Sequence, residues 1–262
     1  MKAYLSLLLF LSAFGVISAQ NIPLGTWRTH ASYSQTASVS IADQTVFAGT
    51  SGGLYTYDLE TNSSRIFSKL DGFSETEILK VKYEPTSQTL VIVYSNGNID
   101  LLKENIIKNL NFIQQSTVFQ DKRINQINIS GQQAYLAFNF GVVVLDLQRQ
   151  EIKETWRNLG DNGTEIAILG SAFTQDSIFL ATSQGVRKAS RNANLQDFNS
   201  WKTDFFAFQT IKTIATDGNI VFVGIENNGI FKYDNGSWTN LGLVIDRPIN
   251  NLIFSGNTLF IC

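Results

Sequence analysis

Five glycines stand 44 positions apart: Gly53 in SGGLY, Gly97 in SNGNI, Gly141 in NFGVV, Gly185 in SQGVR and Gly229 in NNGIF. A fixed interval of that size marks a repeat architecture, in which each unit buries its apolar surface only against its neighbours. Ahead of each glycine lies a run rich in β-branched and aromatic residues: TVFAGT, TLVIVY, AYLAFN, SIFLAT and NIVFVGI. A second such run follows most of them, as in LYTYDL, IDLL and VVVLDL. Two runs joined through Gly or Asn read as a β-hairpin, because those residues take positive φ at low cost.

Upstream of the hairpins the sequence offers a third strand, EILKVKYE, INQINIS, TIKTIAT and INNLIFS, and downstream a fourth, such as RIFSKL and EIKETWR. No segment keeps a helical period. Four short strands in about 44 residues describe one blade of a β-propeller. The expected fold is therefore all-β, a propeller of about five complete four-stranded blades plus part of a sixth that opens at PINNLIFSGNTLFIC. Phe47 and Phe179 stand six residues before their glycines, and by that phase Phe260 lies inside a strand. The chain is thus expected to be a truncated ring, since propellers close by pairing their first and last blades and an open arc leaves raw edges.

The N-terminus carries a different signal. Lys2 precedes the apolar stretch AYLSLLLFLSAFGVI, which ends in SAQN. A positive head, a hydrophobic middle and a small residue at the end describe a secretory signal peptide. Residues 1–19 are assigned to it, with cleavage between Ala19 and Gln20, leaving residues 20–262 as the propeller domain. Ile17 is larger than the usual residue three before the cut. About 15 apolar residues are too few for a membrane span. No Cys follows the stretch, which excludes a lipoprotein anchor. The single Cys is Cys262, the last residue, so no internal disulfide is expected.

Charged residues make up 16% of the chain and the net charge is −2, with a pI near 5.5. A nucleic-acid surface needs a concentrated basic face, so that partner class is set aside. Catalysis needs a nucleophile beside a base, or an acid–base pair. His30 is the only histidine, and no nucleophile-elbow sequence accompanies it. It reads as a structural or exposed residue. Asp58, Asp146 and Asp234 each follow their glycine by five positions. They read as strand-ending residues that bond the following backbone, not as a metal ring. GDNGTE (160–165) lacks the alternating oxygen ligands of a calcium loop and reads as a turn. Trp27, Trp156, Trp201 and Trp238, with Phe205, Phe206 and Phe208, are expected to fill the space between blades. The sequons at Asn62, Asn128, Asn162 and Asn235 read as by-products of Asn-rich turns. No catalytic residue, metal or cofactor is expected.

The phrase KLDGFSETEILKV followed by YSNGNIDLL resembles the two-component regulator propeller repeat. More specifically, WRTHASY (27–33), YSNGNIDLL (94–102), AYLAFNFGVVVLDLQRQEIKETW (134–156) and ATSQGVRKA (181–189) resemble the N-terminal β-propeller family of PorZ, of the type IX secretion system. That family continues through a second propeller and a C-terminal β-domain. The resemblance implies an exported, non-catalytic interaction module at the surface of a Gram-negative bacterium. It implies a sortase-like protein partner, and a role in delivering anionic lipopolysaccharide through regions beyond this chain. The alternative is the periplasmic ligand-sensing propeller of a hybrid two-component regulator. A propeller enzyme acting on polysaccharide would require clustered acids or bases that the repeats do not supply.

N-terminal sequencing of the exported protein is expected to start at Gln20; a mature chain still carrying residues 1–19 would overturn the assignment.

Overall fold

The computed structural model of the chain describes residues 32–262. Its strands follow from the apolar runs around the glycines. The first sheet comprises β1 (Thr36–Ala42), β2 (Thr45–Thr50), β3 (Gly53–Asp58) and β4 (Ser63–Phe67). The second comprises β5 (Ile78–Glu84), β6 (Thr89–Tyr94), β7 (Ile99–Lys103) and β8 (Ile106–Leu110). In the third are β9 (Ile124–Ser130), β10 (Gln133–Phe138), β11 (Gly141–Asp146) and β12 (Glu151–Arg157). The fourth holds β13 (Ile168–Phe173), β14 (Ser177–Thr182), β15 (Gly185–Ser190) and β16 (Lys202–Phe205). Then come β17 (Ile211–Thr216), β18 (Val221–Ile225), β19 (Gly229–Asp234) and β20 (Ser237–Asn240) in the fifth. A two-stranded sheet of β21 (Leu252–Ser255) and β22 (Thr258–Ile261) is the sixth. Every neighbouring pair is antiparallel and joined in sequence order, the meander expected for propeller blades.

The first strands of successive sheets touch: β1 with β5, β5 with β9, β9 with β13, β13 with β17, and β17 with β21. Residues from all six border one cavity, which marks the shared axis of the sheets. The fold is a β-propeller of five four-stranded blades and two strands of a sixth, as the repeats predict. One strand departs from expectation. RIFSKL does not continue as β-structure, because Ser68 caps a single 3₁₀ turn, Lys69–Asp71. Ser68 donates its backbone N–H to the Asp71 carboxylate at 2.8 Å, and its hydroxyl accepts from the Leu70 N–H at 3.2 Å.

Packing explains the continuous apolar runs. Side chains alternate across a strand, yet both faces of the inner strands are covered. In β10, Leu136 and Phe138 join the core shared with the second sheet, while Tyr135 and Ala137 join the core shared with the fourth. Five such clusters occupy the five junctions between consecutive sheets. Each fully buried large side chain contributes about 1.5–3 kcal/mol.

Polar contacts hold the first strands in register. The Ser38 hydroxyl accepts from the Val81 N–H at 3.2 Å and the Ser40 hydroxyl from the Tyr83 N–H at 2.9 Å. The Asn128 side-chain amide donates to the Ser171 carbonyl at 2.7 Å, and the Gln126 side-chain carbonyl accepts from the Ser171 N–H at 2.7 Å. The Thr213 hydroxyl accepts from the Leu252 N–H at 2.9 Å. Asp100, fully buried, is held in the second sheet by the Tyr94 hydroxyl at 2.6 Å, the Ser74 hydroxyl at 2.7 Å and the Asn109 amide at 2.8 Å. Burial and the Asp100 charge push the Tyr94 phenol far above its ordinary range.

Gly53, Gly97, Gly141, Gly185 and Gly229 all have positive φ. A Cβ at Gly141 would lie 2.1 Å from the Trp156 carbonyl oxygen, and at Gly53 2.3 Å from that of Phe67. In the first and third blades the third strand starts so close to the fourth that no side chain fits. Gly141→Ala is expected to cost about 2 kcal/mol or more. Gly131→Ala, at φ 59 with nothing within 4 Å of its Cβ, should cost about 1 kcal/mol. Urea unfolding midpoints of the two variants check the ranking, and equal losses would refute it.

Candidate functional site

Concave features border the blades, one of them at the axis and another between the first two sheets. The axial cavity has a volume of about 530 Å³. Its charged lining residues are Lys80 and Lys82 on β5 and Lys212 on β17; no aspartate or glutamate lines it. These positions follow from strand alternation: Lys80 and Lys82 lie two apart on the first strand of a blade, flanking buried Val81. Asn125, Gln126, Asn128 and Asn251 add amide groups. Lys212 is ion-paired with Glu226. Lys80 is half-buried, and desolvation alone lowers its pKa. The Ser171 hydroxyl is buried here with no hydrogen-bond partner among the described residues.

A second cavity, of about 810 Å³, opens between the first and second sheets. Phe47, Phe67, Phe73 and Tyr83 form its apolar wall. The Phe47 and Tyr83 rings stack with centroids 6.2 Å apart and 15° between planes, and the Arg65 guanidinium lies 4.7 Å from the Phe67 centroid. The first sheet presents Thr56 three residues after its glycine, where the third sheet has buried Val144. Thr56 thus sets a hydroxyl in the lining of this cavity. Asp58, Asp71 and Glu104 stand at its margin, but two of these carboxylates are already engaged. Asp71 closes the cap on Ser68. Asp58 accepts the Glu60 and Thr61 N–H groups at 3.0 and 2.7 Å, bonds that hold its carboxyl below the usual range.

The three phase-related aspartates therefore part company. Asp146 behaves as Asp58 does, accepting from the N–H groups of Gln148 and Arg149 at 3.0 and 2.9 Å. Asp234 contacts Lys232 instead, at 3.4 Å. Asn235 and Gly236, at φ 48 and 85, close a two-residue hairpin in which Asp234 pairs with Ser237. Within that turn no backbone N–H donates to the Asp234 carboxylate. GDNGTE forms a single 3₁₀ turn, Asp161–Gly163. Its purpose was invisible in sequence: Asp161 accepts from the Arg187 Nη1 at 2.7 Å, and the Arg187 side chain is only 3% exposed. Among the described residues no group of His, Cys, Asp and Glu could hold a metal.

Trp156 and Trp201 pack together in the core between the third and fourth sheets, with ring centroids 5.6 Å apart. Trp238 stacks on Phe205 at 4.6 Å and donates to Asp204 at 2.7 Å. Phe206 joins the same cluster, but Phe208 does not. It sits at φ 67 in a turn and is 86% exposed. Asn62, Asn162 and Asn235 occupy turns at positive φ. Asn128 is different, since it lies in β9 and bridges two blades. Cys262 is free and exposed. Ala19, Gln20, Trp27 and His30 lie outside the described residues.

Radial four-stranded sheets around an axial cavity define a β-propeller. Residues 46–202, more than half of the chain, match the family model of the type IX secretion system PorZ N-terminal β-propeller domain, and the chain belongs to that family. No curated protein matches the sequence. Among solved structures, the chain is similar to PorZ of Porphyromonas gingivalis, described as an essential bacterial surface component of the type IX secretion system. The TM-score is 0.74 and the identity 21%, over 90% of this chain and 36% of that one. It is also similar to the extracellular domain of what is described as a one-component system of B. thetaiotaomicron. There the TM-score is 0.66 and the identity 14%, over 89% of this chain and 33% of that one. The Cps50 (Swd1) β-propeller domain from a Myceliophteria species follows at TM-score 0.59 and 11% identity, covering 87% and 80%. These identities show a shared fold. The chain spans about a third of the length of the first two structures.

Asp161 is held below the usual carboxylate range by the Arg187 guanidinium. Its contribution is therefore complete above its unfolded pKa, about 4, and is lost as pH falls through the lower folded value. Asp161→Asn is expected to lower the thermal midpoint near neutral pH, with the gap to the parent closing below about pH 4. A gap independent of pH would count against the ion pair.

Proposed function

We propose that this chain is the non-catalytic interaction and scaffold module of a PorZ-like secretion protein. Residues 1–19 direct export, and the propeller of residues 20–262 is displayed at the periplasm or outer-membrane surface. Its rigid blades present loops and cavities to the protein partners of the attachment complex, a sortase-like enzyme among them. The whole protein helps deliver anionic lipopolysaccharide to that enzyme. The observation that carries this reading is the family match over residues 46–202.

Interlocked apolar cores between blades, with few groups free for chemistry, support a presenting role over a catalytic one. Asp58, Asp71 and Asp100 are committed to turns, caps and buried networks. The rival reading is a ligand-sensing propeller of a hybrid two-component regulator, prompted by the likeness in fold to a bacterial extracellular sensor domain.

A pull-down of the full-length protein from outer membranes is expected to recover a sortase-like partner. Recovery of none, or a kinase domain encoded beyond residue 262, would remove the secretion reading in favour of the sensor.

A further inference from the structure

Lys80 is the observation that stands unexplained. It is half-buried on the first strand of the second blade, in a cavity whose lining contains no carboxylate. No aspartate or glutamate among the described residues pairs with Lys80 or Lys82, whereas Lys212 in the same cavity is paired with Glu226. A partly desolvated ammonium without a counter-charge is costly, and a protein relieves it by deprotonation or by holding an anion.

Neutral donors face the same space. The Gln126 side-chain carbonyl is used by the Ser171 N–H and the Asn251 side-chain carbonyl by Thr213, which leaves the NH₂ group of each amide available. The Ser171 hydroxyl, buried with the residue 2% exposed, has no partner among the described residues. Two unpaired ammonium groups, two free amide donors and an unsatisfied hydroxyl belong to residues that line one cavity of about 530 Å³. Hydrogen bonds from charged donors to an oxyanion are the strong ones.

We propose that the axial cavity is a binding site for an oxyanion, a phosphate or sulfate group either free or carried on a sugar, held by Lys80 and Lys82 and completed by Ser171, Gln126 and Asn251. Lys80, Lys82, Gln126 and Ser171 lie on the first strands of their blades, and Asn251 directly precedes one. It does not depend on the secretion reading: phosphate binding with no sortase-like partner recovered would leave this site standing, and the converse would leave only the secretion role.

Calorimetric titration of the full-length protein at low ionic strength tests it, with inorganic phosphate, glucose 6-phosphate and glucose as probes. Both phosphate probes are expected to bind saturably and glucose not to bind. Tighter binding of glucose 6-phosphate would identify a sugar-borne group, and equal affinity a free one; either supports the site. Lys80→Met and Lys82→Gln should each weaken phosphate binding by about tenfold or more. Lys80→Arg should restore most of it, and Lys103→Met, on β7 away from the cavity, should change nothing. Lys82 is exposed, so its variant folds independently of any loss at Lys80. Unchanged phosphate affinity in Lys82→Gln and Lys80→Met, or no saturable phosphate binding at all, would overturn the proposal.

Discussion

Tyr135 and Leu136 are neighbours in the chain and face opposite sheets, each buried against a different one. That double burial is the constraint on which the remaining structure depends. A blade with both faces apolar cannot stand alone in water, so it must lie between two others. The same condition repeated every 44 residues produces an arc of sheets about one axis, and the axis produces the cavity that six first strands share. The glycines serve this arrangement locally. At Gly53 and Gly141 the third strand begins within contact of the fourth strand's carbonyls, which keeps each blade narrow enough for its outer strands to follow.

Apolar burial drives the association but does not set a unique register between blades, because it is non-directional. Directional contacts near the axis do that. Ser40 receives the Tyr83 N–H, Asn128 reaches the Ser171 carbonyl, and Thr213 receives the Leu252 N–H. These bonds satisfy backbone groups on the free edges of first strands, where an unpaired group would otherwise be costly. Other polar contacts tie loops to the blades: the buried Arg187 pairs with the exposed Asp161, and the buried Asp100 binds Tyr94 of its own sheet and Ser74.

The consequence is a set of blades bordered by recesses of different character. One is lined by aromatic rings between the first two blades; another is polar and cationic at the axis. The chain that forms them belongs to the PorZ N-terminal propeller family. The recesses differ because their walls differ. Lys80 and Lys82 extend from a strand whose counterpart in the third blade carries Gln126 and Asn128.

Much of the fold was legible in the chain itself. Continuous apolar runs, turn residues and a constant spacing are properties of the sequence itself, and they dictate hairpins, blades and their number. EIKETWR became β12 residue for residue. RIFSKL did not become a strand throughout, because the cap at Ser68 needs Asp71 folded back upon it. The sites were far less legible. Asn128 looked like one more turn asparagine, yet it spans two blades; GDNGTE looked like a bare turn, yet it neutralises Arg187 26 positions away. Lys80 and Lys82 were ordinary strand lysines until six strands met around them. Hydrophobic spacing is written along one strand, and so the sequence alone determines it. A cavity's charge is a sum over strands far apart in the chain, and only closure of the sheets around a common axis decides it.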